Sequence, residues 1–221
     1  MIAGAGPAVS GVTGIVVAGG AGRRLGGVDK AALVVGGTTL LDRVLAAARP
    51  VCDRLVVVGP ERPTGVPGVT FAQEAEPGGG PVPAVAAGLS AVPDAEVVLV
   101  LAADLPLLAT ADLRRLIAAL GAPGVEAAAA AGDGGPNPLV AAYRADVLAV
   151  TARSSGAGDR AGGLLPRATV TLELGTATFN VNRPEDLAAA RRLVGPAPPT
   201  GESARRGGQG LLSASDSEGG R

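Results

Sequence analysis

The stretch GIVVAGGAGRRLGGVDKAAL, from Gly14 to Leu33, ends just past Lys30, the only lysine in a chain that carries eighteen arginines. Either residue serves for ordinary surface charge, so a lone Lys closing a glycine-rich loop points to a place that wants a compact ammonium rather than a planar fork. Glycines let the backbone approach an anion closely and leave N–H groups free to cradle phosphate oxygens. Arg23, Arg24 and Lys30 add positive charge to that loop; a solvated Gly/Arg loop would use the same residue types. A second candidate lies in VVLVLAADLPLL, where Asp104 follows an apolar run and precedes Leu105-Pro106. An Asp so placed either caps the next turn or offers a hard oxygen ligand to Mg²⁺, which commonly takes one or two carboxylates together with substrate phosphates.

What the composition lacks narrows the chemistry further. The chain has no His, which removes Ser-His and Cys-His nucleophiles, His-ligated zinc and imidazole bases together. Cys52 is the single cysteine, so neither an intramolecular disulfide nor a CxxC metal knuckle can form. Without Trp, and with only Phe71, Tyr143 and Phe179 as aromatics, there is no stacking platform for single-stranded nucleic acid. A formal net charge of -1 gives no field that would draw the chain to nucleic acid or to an anionic membrane. The opening MIAGAGPAVSGVTG lacks a basic, then apolar leader, and no apolar run reaches the roughly 18 residues of a membrane span. The expectation is a cytoplasmic protein with no nucleic-acid or membrane partner, acting through carboxylates, cations, backbone amides or an oxygen-held metal.

These residues need elements to position them. Short Val-rich runs at Ile15 to Ala18, Leu55 to Val58, Val69 to Phe71, Val97 to Ala102 and Val170 to Leu174 are bounded by Gly, Pro or Asp and read as buried strands. Between them TTLLDRVLAAARPV is predicted to be a helix capped by Thr38 or Thr39 and ending near Pro50. The segment ATADLRRLIAALGAPG reads as a helix capped by Thr110, with Gly121 at its end. A third, RPEDLAAARRLVG, has Pro184 in its first turn, Arg191 and Arg192 near its end and Gly195 as terminator. Continuous apolar strands alternating with helices predict a mostly parallel sheet covered on both faces, a three-layer α/β/α fold. The expected organisation is a flexible segment over 1–12, one domain over 13–195 and a disordered Pro/Gly/Ser-rich tail over 196–221.

Two phosphate-binding patterns fail on the first loop. Gly20-Ala21-Gly22 opens like the dinucleotide fingerprint, but Leu25 takes the place of its third Gly and no acid closes a second strand about twenty residues on. A P-loop needs Gly-Lys-Ser/Thr, whereas Gly27 is followed by Val28-Asp29 and Lys30 by Ala31. The stretch VVAGGAGRRLGGVDKAAL instead resembles the signature of the molybdenum cofactor guanylyltransferases, MobA-like nucleotidyltransferases that carry L-A-G-G, then R-M-G and D-K after the first strand. Val17 stands for the usual Leu and Leu25 for the Met. Asp104-Leu105-Pro106 resembles the D-x-P motif of that family, and PGGGPVPAVAAGL its G-P-L-A-G segment. NPLVAAYR is similar to P-L-x-A-L-Y, and FNVNRPEDL to the F-x-N-x-N-T-P-E-D-L ending, so the likeness runs from Gly14 to Leu193.

The resemblance implies a Rossmann-like nucleotidyltransferase fold and transfer of GMP from GTP to the phosphate of molybdopterin, with release of pyrophosphate. It implies that Val17, Ala18, Gly19 and Gly20 lie against the guanine nucleotide. Lys30, with Arg23 or Arg24, would act on the phosphates, and Asp104 would hold Mg²⁺. GTP, the molybdenum cofactor and molybdoenzyme apoproteins are the partners it implies. Asn180 and Asn182 resemble residues near the pterin, or serve as strand-to-helix turn residues. Some features depart from the pattern: Gly59 stands where some members carry an Asn, AQEAEPGGGP offers Glu74 or Glu76 where an Asp is common, and Pro83 replaces a small residue. A related cytidylyltransferase, another NTP transferase and an accessory protein that binds GTP without turnover remain as alternatives. Ala18-Gly19-Gly20, in place of A-A-G, favours GTP over CTP.

Overall fold

Valine-rich runs bounded by Gly, Pro or Asp do form the buried strands, and the computed structural model describes them within residues 11–20, 28–155 and 158–196. In chain order the elements are β1 (Val12–Val17), β2 (Val34–Val35), β3 (Thr38–Thr39), α1 (Leu40–Ala48), β4 (Arg54–Val58), β5 (Val69–Ala72) and α2 (Pro81–Ser90). They continue as β6 (Val97–Ala102), α3 (Thr110–Ala119), β7 (Ala127–Gly132), β8 (Gly135–Arg144), α4 (Ala145–Ser154), β9 (Thr169–Leu172) and α5 (Pro184–Val194). Of the flexible segment and tail expected from sequence, residues 1–10 and 197–221 lie outside the described residues. Val12, placed in that segment, is the first residue of β1 and is buried.

Seven strands make one sheet in the order β5-β4-β1-β6-β8-β7-β9. Neighbouring pairs are parallel except on either side of β8, which runs antiparallel to β6 and to β7. Side chains alternate across the sheet. From β1 and β6, Val12, Val16, Val97, Leu99 and Leu101 join Leu41, Val44 and Leu45 of α1 and Leu113 and Leu116 of α3 in one core. On the opposite face Ile15, Val98 and Val100 join Val82 and Val85 of α2 and Leu148 of α4. Both faces are thus covered, which is the three-layer arrangement. A smaller cluster of Val35, Leu40, Val181 and Ala190 packs α5 beside the two-stranded β2–β3 ribbon.

Local chemistry fixes the helix ends. Thr39 caps α1 through its hydroxyl, which accepts the Asp42 N–H at 3.0 Å. Pro184 enters the first turn of α5, and Gly195 closes it at φ +81°. Thr110 is not the cap that its position predicted: Ala109 precedes the helix and donates its N–H to Asp112 Oδ2 at 3.1 Å. The Thr110 hydroxyl is drawn to the Ala47 carbonyl at 2.8 Å and so ties α3 to α1. Among the described residues no helix is long and apolar enough to cross a membrane.

The approach of α2 to the sheet depends on a residue without a side chain. A Cβ placed on Gly88 would lie 2.6 Å from Ile15 Cγ2 and 3.2 Å from Val58 Cγ2. Ile15 and Val58 are fully buried and cannot step aside. We expect Gly88→Val to overpack this contact and cost about 1–3 kcal/mol. The check is urea denaturation: a lowered midpoint at unchanged slope is the expected result, and an unchanged midpoint would show that the layer has room to spare.

Candidate functional site

The carboxyl ends of β4, β1 and β6 are laced together by their backbones. Ala18 N–H donates to the Val58 carbonyl at 2.8 Å, Ala103 N–H to Val17 at 3.1 Å and Gly59 N–H to Ala72 at 2.9 Å. The chain leaving β1 therefore turns immediately beside the chain leaving β6. Gly59 lies so close to this turn, at φ +149°, that a Cβ would stand 3.0 Å from the Ala18 carbonyl carbon. A side chain at this position would press on the backbone of Ala18 and Gly19.

Lys30 reaches the same crevice from a short 3-10 turn, Lys30–Ala32. Asp29 caps that turn by accepting the Ala31 N–H at 3.1 Å, and its other oxygen is paired with Arg62. Arg62 in turn donates from Nε to the Pro60 carbonyl at 3.1 Å. The loop after β4 thus holds the turn that presents the lysine.

Asp104 follows β6, and the segment before α5 is fastened to it because Val181 N–H donates to the Asp104 carbonyl at 3.0 Å. The next two amides, Asn182 and Arg183, donate to Asp186 Oδ2 at 2.9 and 2.8 Å, closing the start of α5. Lys30 Nζ lies between the two segments. It donates to Asn182 Oδ1 at 2.6 Å and to Asp104 Oδ2 at 3.4 Å. The side chains of Lys30 and Asp104 are 20% and 17% exposed, so the pair is open enough for a ligand yet largely removed from water. Burial pushes the Asp104 carboxyl above the usual carboxylate range, and the Lys30 ammonium only partly offsets it.

Val17, Ala18, Gly19, Gly20, Lys30 and Asp104 all line one cleft of about 390 Å³. The structure therefore brings these six residues together, as expected; Arg23 and Arg24 lie outside the described residues. The far wall includes Glu74, Pro81 and Leu139. Glu74 accepts the N–H groups of Gly78 and Gly79 at 3.1 and 3.2 Å, shaping the glycine run before α2, while Glu76 is exposed. Asn180 is exposed too. Asn182 takes a site contact that its turn position did not announce. Cys52 is buried and its thiol is pushed up to about 12, so it supplies no nucleophile.

Among the described residues, no three His, Cys, Asp or Glu side chains gather to hold a metal ion. The single carboxylate of Asp104 suits Mg²⁺ that draws its other oxygens from phosphates and water. It does not suit zinc, which takes three or four protein ligands, mostly Cys and His.

A raised carboxyl pKa means that the folded chain holds this proton more tightly than the unfolded chain does. The contribution to stability is then greatest below the ordinary Asp value of about 3.9, falls as pH rises through the raised folded value and stays level above it. Asp104→Asn removes the charge without changing the shape. We expect it to melt higher than the wild type at neutral pH, with the difference vanishing in acid; melting curves across pH test this, and a variant that melts lower at neutral pH would contradict it.

The comparisons with known proteins agree with the geometry. A family model described as the MobA-like NTP transferase domain matches residues 14–170. A molybdenum cofactor guanylyltransferase of Bradyrhizobium sp. (strain ORS 278) is 34% identical over 199 residues, which is 83% of this chain and 93% of that protein. Molybdopterin-guanine dinucleotide biosynthesis protein A from Archaeoglobus fulgidus is a structural neighbour with a TM-score of 0.65 at 22% identity, over 82% of this chain and 97% of that one. So is 2-C-methyl-D-erythritol 4-phosphate cytidylyltransferase from Thermus thermophilus, with a TM-score of 0.59 at 23% identity, over 81% and 97% of the two chains. These two likenesses are of fold, and the fold does not choose a base. The matched region contains both the Lys30 turn and Asp104, and the chain belongs to the MobA-like NTP transferase family.

Proposed function

We propose that this chain transfers the guanylyl group of GTP to the terminal phosphate of molybdopterin and releases pyrophosphate. The observation that carries the reading is the convergence of Lys30 and Asp104, 3.4 Å apart, at the end of the glycine turn after β1. An ammonium, a carboxylate and the glycine turn of Gly19 and Gly20 in one cleft match the needs of a triphosphate and its metal. The name of the relative from Bradyrhizobium supports guanine and the molybdenum cofactor as substrates.

In the proposed reaction an oxygen of the acceptor phosphate attacks the α-phosphorus of GTP. A phosphoanhydride bond forms there while the bond to the β-phosphate breaks, and pyrophosphate leaves with the electron pair. The attacking phosphate is already anionic at neutral pH, so the step requires no general base, which suits a chain without His. Catalysis is then positioning and charge neutralisation. The backbone of Ala18, Gly19 and Gly20 approaches the nucleotide, and Lys30 neutralises charge on its phosphates. Arg23 or Arg24 adds to the charge facing pyrophosphate. Asp104 would hold Mg²⁺, which supplies charge neutralisation on phosphate oxygens when bound. The proposal keeps the cytoplasm as the compartment and molybdoenzyme apoproteins as recipients of the product.

Thermal shift with GTP, CTP, ATP and UTP in the presence of Mg²⁺ tests the choice of base, since a ligand at about 100 times its Kd adds close to 2.7 kcal/mol. We expect GTP to give the largest shift; a larger shift with CTP would make the chain a cytidylyltransferase. Pyrophosphate release with GTP, molybdopterin and Mg²⁺ then separates an enzyme from a GTP-binding accessory protein. In that assay Asp104→Asn should lose roughly two to three orders of magnitude in turnover, and equal turnover in the two proteins would refute the role given to the carboxylate.

A further inference from the structure

The two bonds of the lysine are unequal, and the weaker one goes to the charged partner. Lys30 Nζ lies 2.6 Å from a neutral amide oxygen on Asn182 and 3.4 Å from the Asp104 carboxylate. A free ammonium beside a half-buried carboxylate would close to the shorter distance of a charge-assisted hydrogen bond. Here Asn182 holds it back. Asn182 is itself rigidly placed, since its own N–H is held by Asp186 and the preceding Val181 N–H by the Asp104 carbonyl. The amide and the carboxylate therefore keep a fixed relation, and the ammonium between them is pulled toward the amide.

We infer that Asn182 is a positioning residue which holds the Lys30 ammonium off Asp104 and so leaves the carboxylate able to accept a divalent cation. Two cations cannot share one carboxylate oxygen at contact without strong repulsion. Without Asn182 the lysine closes onto Asp104 and becomes a resident counter-ion that the metal has to displace. With Asn182 the ammonium has a second acceptor a short reach away. The inference rests on the guanylyltransferase reading only in taking Asp104 as the carboxylate that receives the metal.

The single lysine of the chain makes the test specific, because ¹³Cε-lysine labelling of the full chain gives one signal. Mg²⁺ is titrated into wild type and Asn182→Ala while that signal is followed, and Mn²⁺ binding is counted by electron paramagnetic resonance. We expect Asn182→Ala to weaken metal affinity by roughly 10- to 100-fold, the usual effect of losing an outer-shell partner. In a Lys30→Met background the same substitution should have almost no effect, since no ammonium is left to close on Asp104. A purely structural role for Asn182 would not be rescued in this way. An unchanged metal affinity in Asn182→Ala, or a loss that persists undiminished with Lys30→Met, overturns the inference and leaves the guanylyltransferase reading intact. Should Asn182→Ala fold poorly, Asn182→Ser, too short to reach the lysine, gives the same comparison. A wild-type lysine signal that ignores Mg²⁺, both alone and with GTP, overturns the metal role of Asp104 and this inference together.

Discussion

The cleft exists because β1 and β6 are parallel neighbours in a register that sets Val17 opposite Ala102. On the other side of β1 the same register sets Val17 opposite Val58. Three chains therefore leave the sheet at one level and on one edge, where the loops after parallel strands make a crevice. A slip of one residue would turn every side chain of β1 to the wrong layer. It would also carry Ala18 and Gly19 out of line with Asp104. The two apolar cores that grip alternate residues of β1 and β6 thus do more than stabilise the fold, because they set the depth from which the residues of the cleft project.

Electrostatically the site is a burden on that fold rather than a support. The Asp104 carboxyl is raised because the loss of water outweighs the pull of Lys30, so the ion pair is no net stabiliser. What tolerates it is the Val, Leu and Ala core on either side and the backbone lacing between Ala18, Val58, Val17 and Ala103. Arg62, placed on Asp29 from a loop that contributes nothing to the cleft wall, belongs to the same logic. It braces the lysine turn from behind, where its own charge is answered by Asp29 and does not compete for Asp104.

How much of this was legible in the sequence depended on how local each signal was. The existence of β1, β4, β5, β6 and β9 could be read because Val is abundant there and turn residues bound each run, but β1 begins at Val12 rather than Ile15 and β9 ends at Leu172 rather than Leu174. The pair β7 and β8 was not, since AAAAAG is a sequence of helix formers that becomes a strand only through burial between β8 and β9. Nor was α2, where Pro81 and Pro83 look like breakers but fall in a first turn that tolerates proline. In the site, Lys30 and Asp104 each sat in a short motif and were found. The bond from Lys30 to Asn182 spans 152 residues, and no spacing rule foretells which side chain will meet another over that distance.

The geometry also explains why the one position that is not Arg had to be Lys. An arginine at residue 30 would present a planar fork whose natural partner is a carboxylate held by two parallel hydrogen bonds. Next to Asp104 that fork would claim both oxygens and leave none for a metal, and an amide oxygen on Asn182 could not draw it away. An ammonium has no such plane. It is a point charge with three donors on a flexible stem, so it can be shared between an amide and an acid and still turn toward a phosphate. Elsewhere among the described residues guanidinium groups make fixed bonds, as in the pairing of Arg62 with Asp29 or the bonds from Arg144 to the carbonyls of Val125 and Leu120. At the edge of the cleft one charge is shared between the Asn182 amide and the Asp104 carboxylate, and a compact ammonium suits that sharing better than a planar fork.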